Sequence, residues 1–393
     1  MFVESLAASG NNVYVGGDFT GNSLAIGSGT IATNVSGDDG YVAKFVDNGS
    51  TVSFGWARSI GEADGSTINV YGLSANGPVV YVSGVFYGTL NFNGSAPAIT
   101  SVGSSNGSGP GDVAVIRLYD SGPGSGLTSA VRAGGAGNEF VYTISRQGST
   151  LYVSGGTGSP TWTGATTTGA GGGFVAKVTD VGGALSVGWV QLLNRVVVQT
   201  APNGTGVYAA TALAGTDTFG GTLISSAGGS DGLVVRLTDA GSSVGVTWAR
   251  AAGGLFNDSF RALALVNGKV VVGGSVVPLA AFGTNVVTGP VGVSVAALGI
   301  IADPAIVVLA ATPAQPREPL VLDLYPNPAH NQAIVRLPAA TTDPLQLFDA
   351  MGREVRRFAS PTSTTEKVLD LRGLPAGLYV VRAGNTSRQL VVE

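Results

Sequence analysis

Val80-Tyr81-Val82-Ser83-Gly84 is one of five copies of an apolar run closed by small residues, and its recurrence decides the fold. The others are Val13-Tyr14-Val15-Gly16-Gly17, Leu151-Tyr152-Val153-Ser154-Gly155, Val207-Tyr208-Ala209 and Val270-Val271-Val272-Gly273-Gly274. Their central positions are 67, 71, 56 and 63 residues apart. A second signature keeps the rhythm: Tyr41-Val42-Ala43-Lys44, Val115-Ile116-Arg117, Phe174-Val175-Ala176-Lys177 and Leu233-Val234-Val235-Arg236. A third follows each of these: Trp56-Ala57-Arg58, Ala130-Val131-Arg132, Trp189-Val190-Gln191 and Trp248-Ala249-Arg250, with Ala130 standing for the Trp in the second copy. One more apolar run, such as Tyr71-Gly72-Leu73, precedes the next copy of the first.

Each period therefore reads as four short antiparallel strands, the sequence form of a β-propeller blade. One such sheet cannot bury both faces alone, so stacking on neighbours is required; the Trp and Tyr rings are the expected packing between blades. The chain enters out of phase, and blade one is expected to lack its Trp-type strand. The run 305–310 is then expected to fill that gap and close a five-bladed ring, unless further blades lie upstream.

The composition agrees with an all-β chain. Among 393 residues, 62 are Gly, 44% are hydrophobic and only 11% are charged, too apolar for disorder. The lack of Cys excludes a disulfide framework, thiolate catalysis and cysteine-bound zinc. The single His, His330, excludes multi-histidine metal sites and weakens a Ser-His-Asp reading. No cofactor or metal is expected. A net charge of −4 without a basic run leaves no footprint for nucleic acid. The stretch 291–311 approaches membrane-spanning length, but Asp303-Pro304 interrupts it and two buried strands are expected instead.

Only four of the 62 glycines lie beyond residue 311. The join at 312–319 carries three prolines and is expected to be a semi-rigid linker between a domain at 1–311 and one at 320–393. The second domain shows seven runs of strand character, at 320–325, 332–337, 344–348, 353–358, 367–371, 378–382 and 388–392. Seven strands in so short a span predict a small immunoglobulin-like β-sandwich. Asp349-Ala350-Met351-Gly352 suits a hairpin loop with Gly in the left-handed region, and Leu374-Pro375-Ala376-Gly377 a Pro-led turn.

Catalysis in a propeller needs acids at the channel mouth. The candidates are Asp18, Asp38, Asp39, Asp64, Asp112, Asp217, Asp231 and Asp258. A pair of them could serve glycoside cleavage or bind calcium. Asp39, Asp112 and Asp231 recur beside Gly at equivalent turns, which favours turn geometry, and no catalytic residue is assigned. Lys44, Arg117, Lys177 and Arg236 form a repeated basic position, read as a solvated or inter-blade row. Trp162 is the one Trp outside the repeat and is expected to pack locally; exposed, it would stack on a sugar.

The tail carries a family resemblance. Leu324-Tyr325-Pro326-Asn327-Pro328-Ala329, then Leu347-Phe348-Asp349-Ala350-Met351-Gly352-Arg353, then Leu374-Pro375-Ala376-Gly377-Leu378-Tyr379, resemble in order and spacing the type A C-terminal sorting domain of the type IX secretion system. The resemblance makes Tyr325, Pro326, Asn327, Pro328, Gly352, Arg353, Leu374, Pro375, Gly377 and Tyr379 the sorting motif. It implies recognition by the outer-membrane export machinery, cleavage by a sortase-like protease, and release or attachment at the cell surface. Residues 2–311 resemble SBBP-type bacterial β-propeller repeats through Trp-Ala-Arg, Val-Tyr-Val-Ser-Gly, Tyr87-Gly88-Thr89 and the Val-Ala-Lys strands, which implies a fold and no activity. An exported chain carries a signal peptide, and Met1-Phe2-Val3-Glu4-Ser5-Leu6 does not read as one, so the natural start is expected upstream. The leading expectation is a secreted or surface-attached protein whose propeller binds a glycan or protein ligand or serves in adhesion. The alternative is a polysaccharide hydrolase using carboxylates at the propeller mouth.

Overall fold

The computed structural model describes residues 1–32, 38–60, 67–92, 96–102, 109–122, 126–159, 162, 164–290, 292–303, 322–337, 344–359, 366–383 and 386–393. The chain divides into two compact units, Met1–Ile306 and Val307–Glu393. Among the described residues all regular elements are strands.

The first unit is built of β-propeller blades. In the first blade β1 (Phe2–Ser9) and β2 (Asn12–Thr20) lead into a hairpin of β3 (Ser23–Ile26) and β4 (Gly29–Ala32). Then β5 (Asp38–Asp47) and β6 (Val52–Ile60) complete the order β1-β2-β5-β6. The second has β7 (Thr67–Asn76), β8 (Val79–Tyr87), a hairpin of β9 (Thr89–Leu90) and β10 (Ile99–Thr100), β11 (Asp112–Tyr119) and β12 (Gly126–Ala133). The third has β13 (Glu139–Gln147), β14 (Thr150–Thr157), β15 (Thr166–Gly169), β16 (Gly173–Val181) and β17 (Ala184–Leu193), with β15 added parallel to β17. The fourth has β18 (Gln199–Asn203), β19 (Gly206–Phe219), β20 (Thr222–Asp239) and β21 (Val244–Ala252). The fifth has β22 (Ser259–Val266), β23 (Lys269–Val276), the pair β24 (Ala281–Phe282) and β25 (Asn285–Val286), and β26 (Val295–Ala302). Its order among the described residues is β22-β23-β26. The first strands of successive sheets lie against one another, β1 on β7, β7 on β13, β13 on β18 and β18 on β22, and form the inner wall of the arc.

Two expectations are corrected. Blade one does not lack its Trp-type strand, because β6 carries Trp56 and pairs with β5. The odd apolar run begins each sheet, as β1 does, so the entering chain is in phase. The run 305–310, expected to complete that blade, lies outside the described residues. Secondly, the register sets Ser129, not Ala130, opposite Arg117, where Trp56 stands opposite Lys44 and Trp248 opposite Arg236. A one-residue slip moves a side chain to the other face, so the repeat in β12 is read one position late from sequence.

The sheets are joined by one motif used four times. Tyr14, Lys44 and Trp56 of the first sheet converge on Asp120, just past the end of β11 in the second: Lys44 Nζ at 2.7 Å, Tyr14 Oη at 2.7 Å and Trp56 Nε1 at 2.9 Å. Tyr81 and Arg117 converge on Asp180 at 2.6 and 2.8 Å. Tyr152, Lys177 and Trp189 converge on Asp239, and Tyr208, Arg236 and Trp248 on Asp303. Burial pushes the Asp120 carboxyl up, but Lys44, Tyr14, the Gly122 amide and Trp56 outweigh it and hold it well below the ordinary range. Burial and the hydrogen bond to Asp180 raise the Tyr81 phenol to about 12. Apolar layers flank each cluster, for example Val42, Ile68, Val82 and Ile116 between the first two sheets.

In the second unit all seven expected strands are present: β27 (Asp323–Tyr325), β28 (Gln332–Arg336), β29 (Leu345–Asp349), β30 (Glu354–Phe358), β31 (Glu366–Asp370), β32 (Gly377–Ala383) and β33 (Thr386–Val392). They form two sheets, β27-β28-β31 and β30-β29-β32-β33, sandwiching Val335, Leu345, Leu347, Leu369, Val381 and Leu390. Alternation along each strand puts these residues inward.

Replacing Asp239 with Asn leaves the buried Lys177 without a counter-charge, and urea unfolding is expected to show a loss of about 3–5 kcal/mol. The double replacement Lys177→Met with Asp239→Leu is expected to cost far less. Because Lys177, Trp189, Tyr152 and the Gly241 amide outweigh burial and hold the Asp239 carboxyl down, its stabilisation is present above the ordinary Asp value and is lost as pH falls through the lower folded value.

Candidate functional site

The inner wall carries a β-bulge at one repeated position. Register breaks fall between Val3 and Ser5, Val70 and Gly72, Val141 and Thr143, and Phe260 and Ala262, so the bulged residues are Glu4, Tyr71, Tyr142 and Arg261. A bulge re-aims its side chain away from the pleat, and here it sets two phenols and a carboxylate in a row along neighbouring strands. Tyr142 is 51% exposed, and its ring meets Phe140 edge to face with centroids 5.7 Å apart. The Tyr71 phenol is raised by burial, then by Asp18, Glu4, Tyr87 and Tyr142, which places all four within electrostatic reach of it. Burial lifts the Asp18 carboxyl, and Glu4 and Asp38 add to the shift. Asp18 among the candidates thus lies at this site, while the sequence shows Tyr71 and Tyr87 only as repeat residues and does not single out Glu4, Phe140 and Tyr142. The available signal was the run before each Val-Tyr-Val strand, but a bulge is invisible without pairing.

The recurring turn acids do something else. Asp112 and Glu139 are fully buried, and a Cβ on Gly134 would lie 2.5 Å from one carboxylate and 2.6 Å from the other. Asp231 and Asp258 repeat this around Gly253, at 2.3 and 2.8 Å. Glycine is required because both acids press on that Cα. Asp258 accepts the Gly254 and Val277 amides, and Asp231 the Ala227 amide. Asp112 accepts the Val102 amide and Arg132 Nη1. The register puts Ala251 where Arg132 stands, so the second pair has no arginine. Burial lifts the Glu139 carboxyl, with the hydrogen bond to Asp112 in the same direction, and burial followed by Asp258 lifts that of Asp231. Asp39 holds the corresponding place in blade one; Asp64 lies outside the described residues. Asp217 caps a local turn through the Thr218 amide, away from these groups. No cluster of three or more acidic, His or Cys groups suited to a metal occurs among the described residues.

Lys44, Arg117, Lys177 and Arg236 are not a solvated row; of the two readings the inter-blade one holds, since they form the inter-sheet ion pairs described above. Trp162 is buried against Phe174, ring centroids 4.6 Å apart, and offers no surface to a sugar.

In the sandwich, Tyr325-Pro326 and Asn327-Pro328 are cis. Asn327 clamps the last strand, donating to the Gln389 carbonyl at 2.9 Å and accepting the Val391 amide at 2.8 Å. Gly352 has φ +78° and bonds back to the Asp349 carbonyl, while Arg353 folds onto the Asp349 carboxylate. Tyr379 donates to the Pro375 carbonyl at 2.8 Å, a tyrosine corner, with Leu374 and Gly377 in the same turn. The Tyr325, Pro326–Pro328 and Gly352–Arg353 features thus occupy separate strand ends. An open groove lined by Phe348, Asp349, Gly352, Leu378, Val380 and Arg382 crosses the outward face of the four-stranded sheet. His330 is exposed.

Residues 323–393 match the family of secretion system C-terminal sorting domains. No curated protein matches the chain. Among solved structures, a phage phi92 endosialidase aligns at 12% identity and a TM-score of 0.25 over 70% of this chain and 61% of its own. Dimeric latent PorU from Porphyromonas gingivalis aligns at 12% identity and 0.14 over 84% and 34%. The chain thus spans less than two thirds of either protein, and both scores are too low to bear on fold or activity.

The raised Asp231 carboxyl fixes a sign. Its contribution to stability is full below the ordinary Asp value of 3.8 and is lost as pH rises through its higher folded value. Asp231→Asn keeps the acceptor for Ala227 and turns the repulsion with Asp258 into a hydrogen bond. The variant is expected to be more stable at pH 7.5 by about 1 kcal/mol, with a flatter pH dependence in thermal unfolding.

Proposed function

We propose that the type IX secretion machinery exports this chain to the bacterial cell surface, and that its blades act there as a non-catalytic module that binds carbohydrate. The match over residues 323–393 supports the first part. Within that domain we assign recognition to Tyr325, Pro326, Asn327, Pro328, Gly352, Arg353, Leu374, Pro375, Gly377 and Tyr379, with a sortase-like protease as the processing partner. The observation that carries the second part is the bulge row. The exposed Tyr142 ring, with the half-buried Tyr71 phenol and carboxylates along the same row, offers an apolar platform for the C–H face of a sugar and acceptors for its hydroxyls. The Glu4 and Asp18 carboxylates disfavour anionic polymers, so neutral glycans are the expected class.

The hydrolytic reading has one observation in its favour. Asp18, lifted by burial and by Glu4, is placed like an acid beside a second carboxylate. It requires turnover of a polysaccharide that Asp18→Asn abolishes, whereas the binding module loses affinity with no product at any stage.

Export is tested by fractionating cells that express the chain, behind a signal peptide, with and without residues 320–393. Surface delivery is expected only with the tail, and equal delivery of both would sink the sorting claim. Binding is tested on a panel of neutral and acidic glycans. Tyr142→Ala and Tyr71→Ala are each expected to weaken binding to a neutral glycan about tenfold, about 1.4 kcal/mol, with the melting temperature nearly unchanged for Tyr142→Ala.

A further inference from the structure

The motif that joins the sheets has two halves on opposite faces: a tyrosine and a cation on the face toward the next sheet, and an aspartate on the face toward the preceding one. The first sheet carries an aspartate that its own array does not use. Asp47 follows Lys44 by the interval that separates Asp120 from Arg117, Asp180 from Lys177 and Asp239 from Arg236. Its Oδ1 accepts the Gly49 amide at 2.8 Å, as Asp120 accepts Gly122 at 3.0 Å and Asp239 accepts Gly241 at 2.8 Å. The carboxylate is thus set in the same turn, but Asp47 is exposed.

The surface around it is built like the faces that meet a preceding sheet. In the second sheet the β9–β10 hairpin brings Leu90, Phe92 and Ile99 onto the junction with the first. In the first sheet β3 and β4 bring Leu24 and Ile31 onto Tyr41 and Ala43, leaving Leu6 and Val52 exposed, at 65% and 69%. Phe45 and Phe54 complete this face, edge to face at 5.8 Å.

Among the described residues the last sheet does not supply the missing half. Val271 pairs with Ile300 as Tyr14 pairs with Lys44, so both polar residues are apolar there. Leu298 and Ile300 stay 78% and 63% exposed. Closing the arc on itself, or stacking a second copy head to tail, would bury the Asp47 carboxylate against aliphatic carbon with no counter-charge. We propose that the outer face of the first sheet is a docking face for a β-sheet, other than the chain's own five, that presents a tyrosine and a lysine or arginine on adjacent strands. The junction at Asp180 holds with tyrosine and arginine alone, so an indole is not required.

The probe that tests this is the same chain carrying Val271→Tyr, Ile300→Lys and Asp47→Lys, which gains the missing half on its last sheet and loses the acceptor on its first. Mixed with the unmodified protein in sedimentation velocity, it is expected to form a one-to-one complex that added salt weakens. Asp47→Asn in the unmodified partner is expected to weaken the complex at least tenfold. If Val271→Tyr prevents folding by circular dichroism, Ile300→Lys with Asp47→Lys changes two exposed sites only and supplies the cation alone. A folded probe that stays monomeric with its partner at high micromolar concentration overturns the proposal, as does a complex indifferent to Asp47→Asn. So does self-association of the unmodified chain that Ile300→Asp abolishes, because the last sheet would then be the occupant.

Discussion

A lysine or arginine of one blade buried against an aspartate of the next is the contact on which the propeller unit depends. Isolated, such a pair loses more in desolvation than it gains by attraction. Here each carboxylate also takes a phenol, those of Asp120, Asp180 and Asp239 take a backbone amide as well, three of the four take an indole, and aliphatic layers flank the clusters. An apolar interface alone would let neighbouring blades slide, since Val against Val has no preferred register. The ion pair fixes which residue meets which, so the specificity of stacking resides in it and the bulk of the burial in the valines.

The same division separates what could be read from the sequence from what could not. Strands announce themselves locally, through alternation and Gly-bounded runs, and the repeat at Tyr14, Tyr81, Tyr152 and Tyr208 made the blades legible. The seven strands of the sandwich were legible for the same reason. The partner of Lys44 was not, because Asp120 lies in the following repeat and looks there like one more turn residue. The phase of the first blade was misjudged because a linear repeat has no origin; only pairing tells where a sheet begins. Ser129 was missed because β12 is shifted by one residue, a change that hydrophobicity hardly registers.

The candidate site was the least legible part. Repetition drew attention to Asp112 and Asp231, whose recurrence reflects packing around Gly134 and Gly253. Glu4, Tyr71, Tyr142 and Arg261 share a structural position yet span an acid, two phenols and a base. A place on the inner wall that the scaffold keeps and the side chains vary is where a binding surface can diversify without disturbing the stack.

In the sandwich, Leu390 and Val392 are buried core residues of β33, and Asn327 and Ala329 reach across the whole domain sequence to hold that strand. The first and last strands of this sandwich are therefore tied to each other. Loss of β33 would remove Leu390 and Val392 from the core and leave Asn327 with nothing to grip, so neither end of the domain can be ordered without the other.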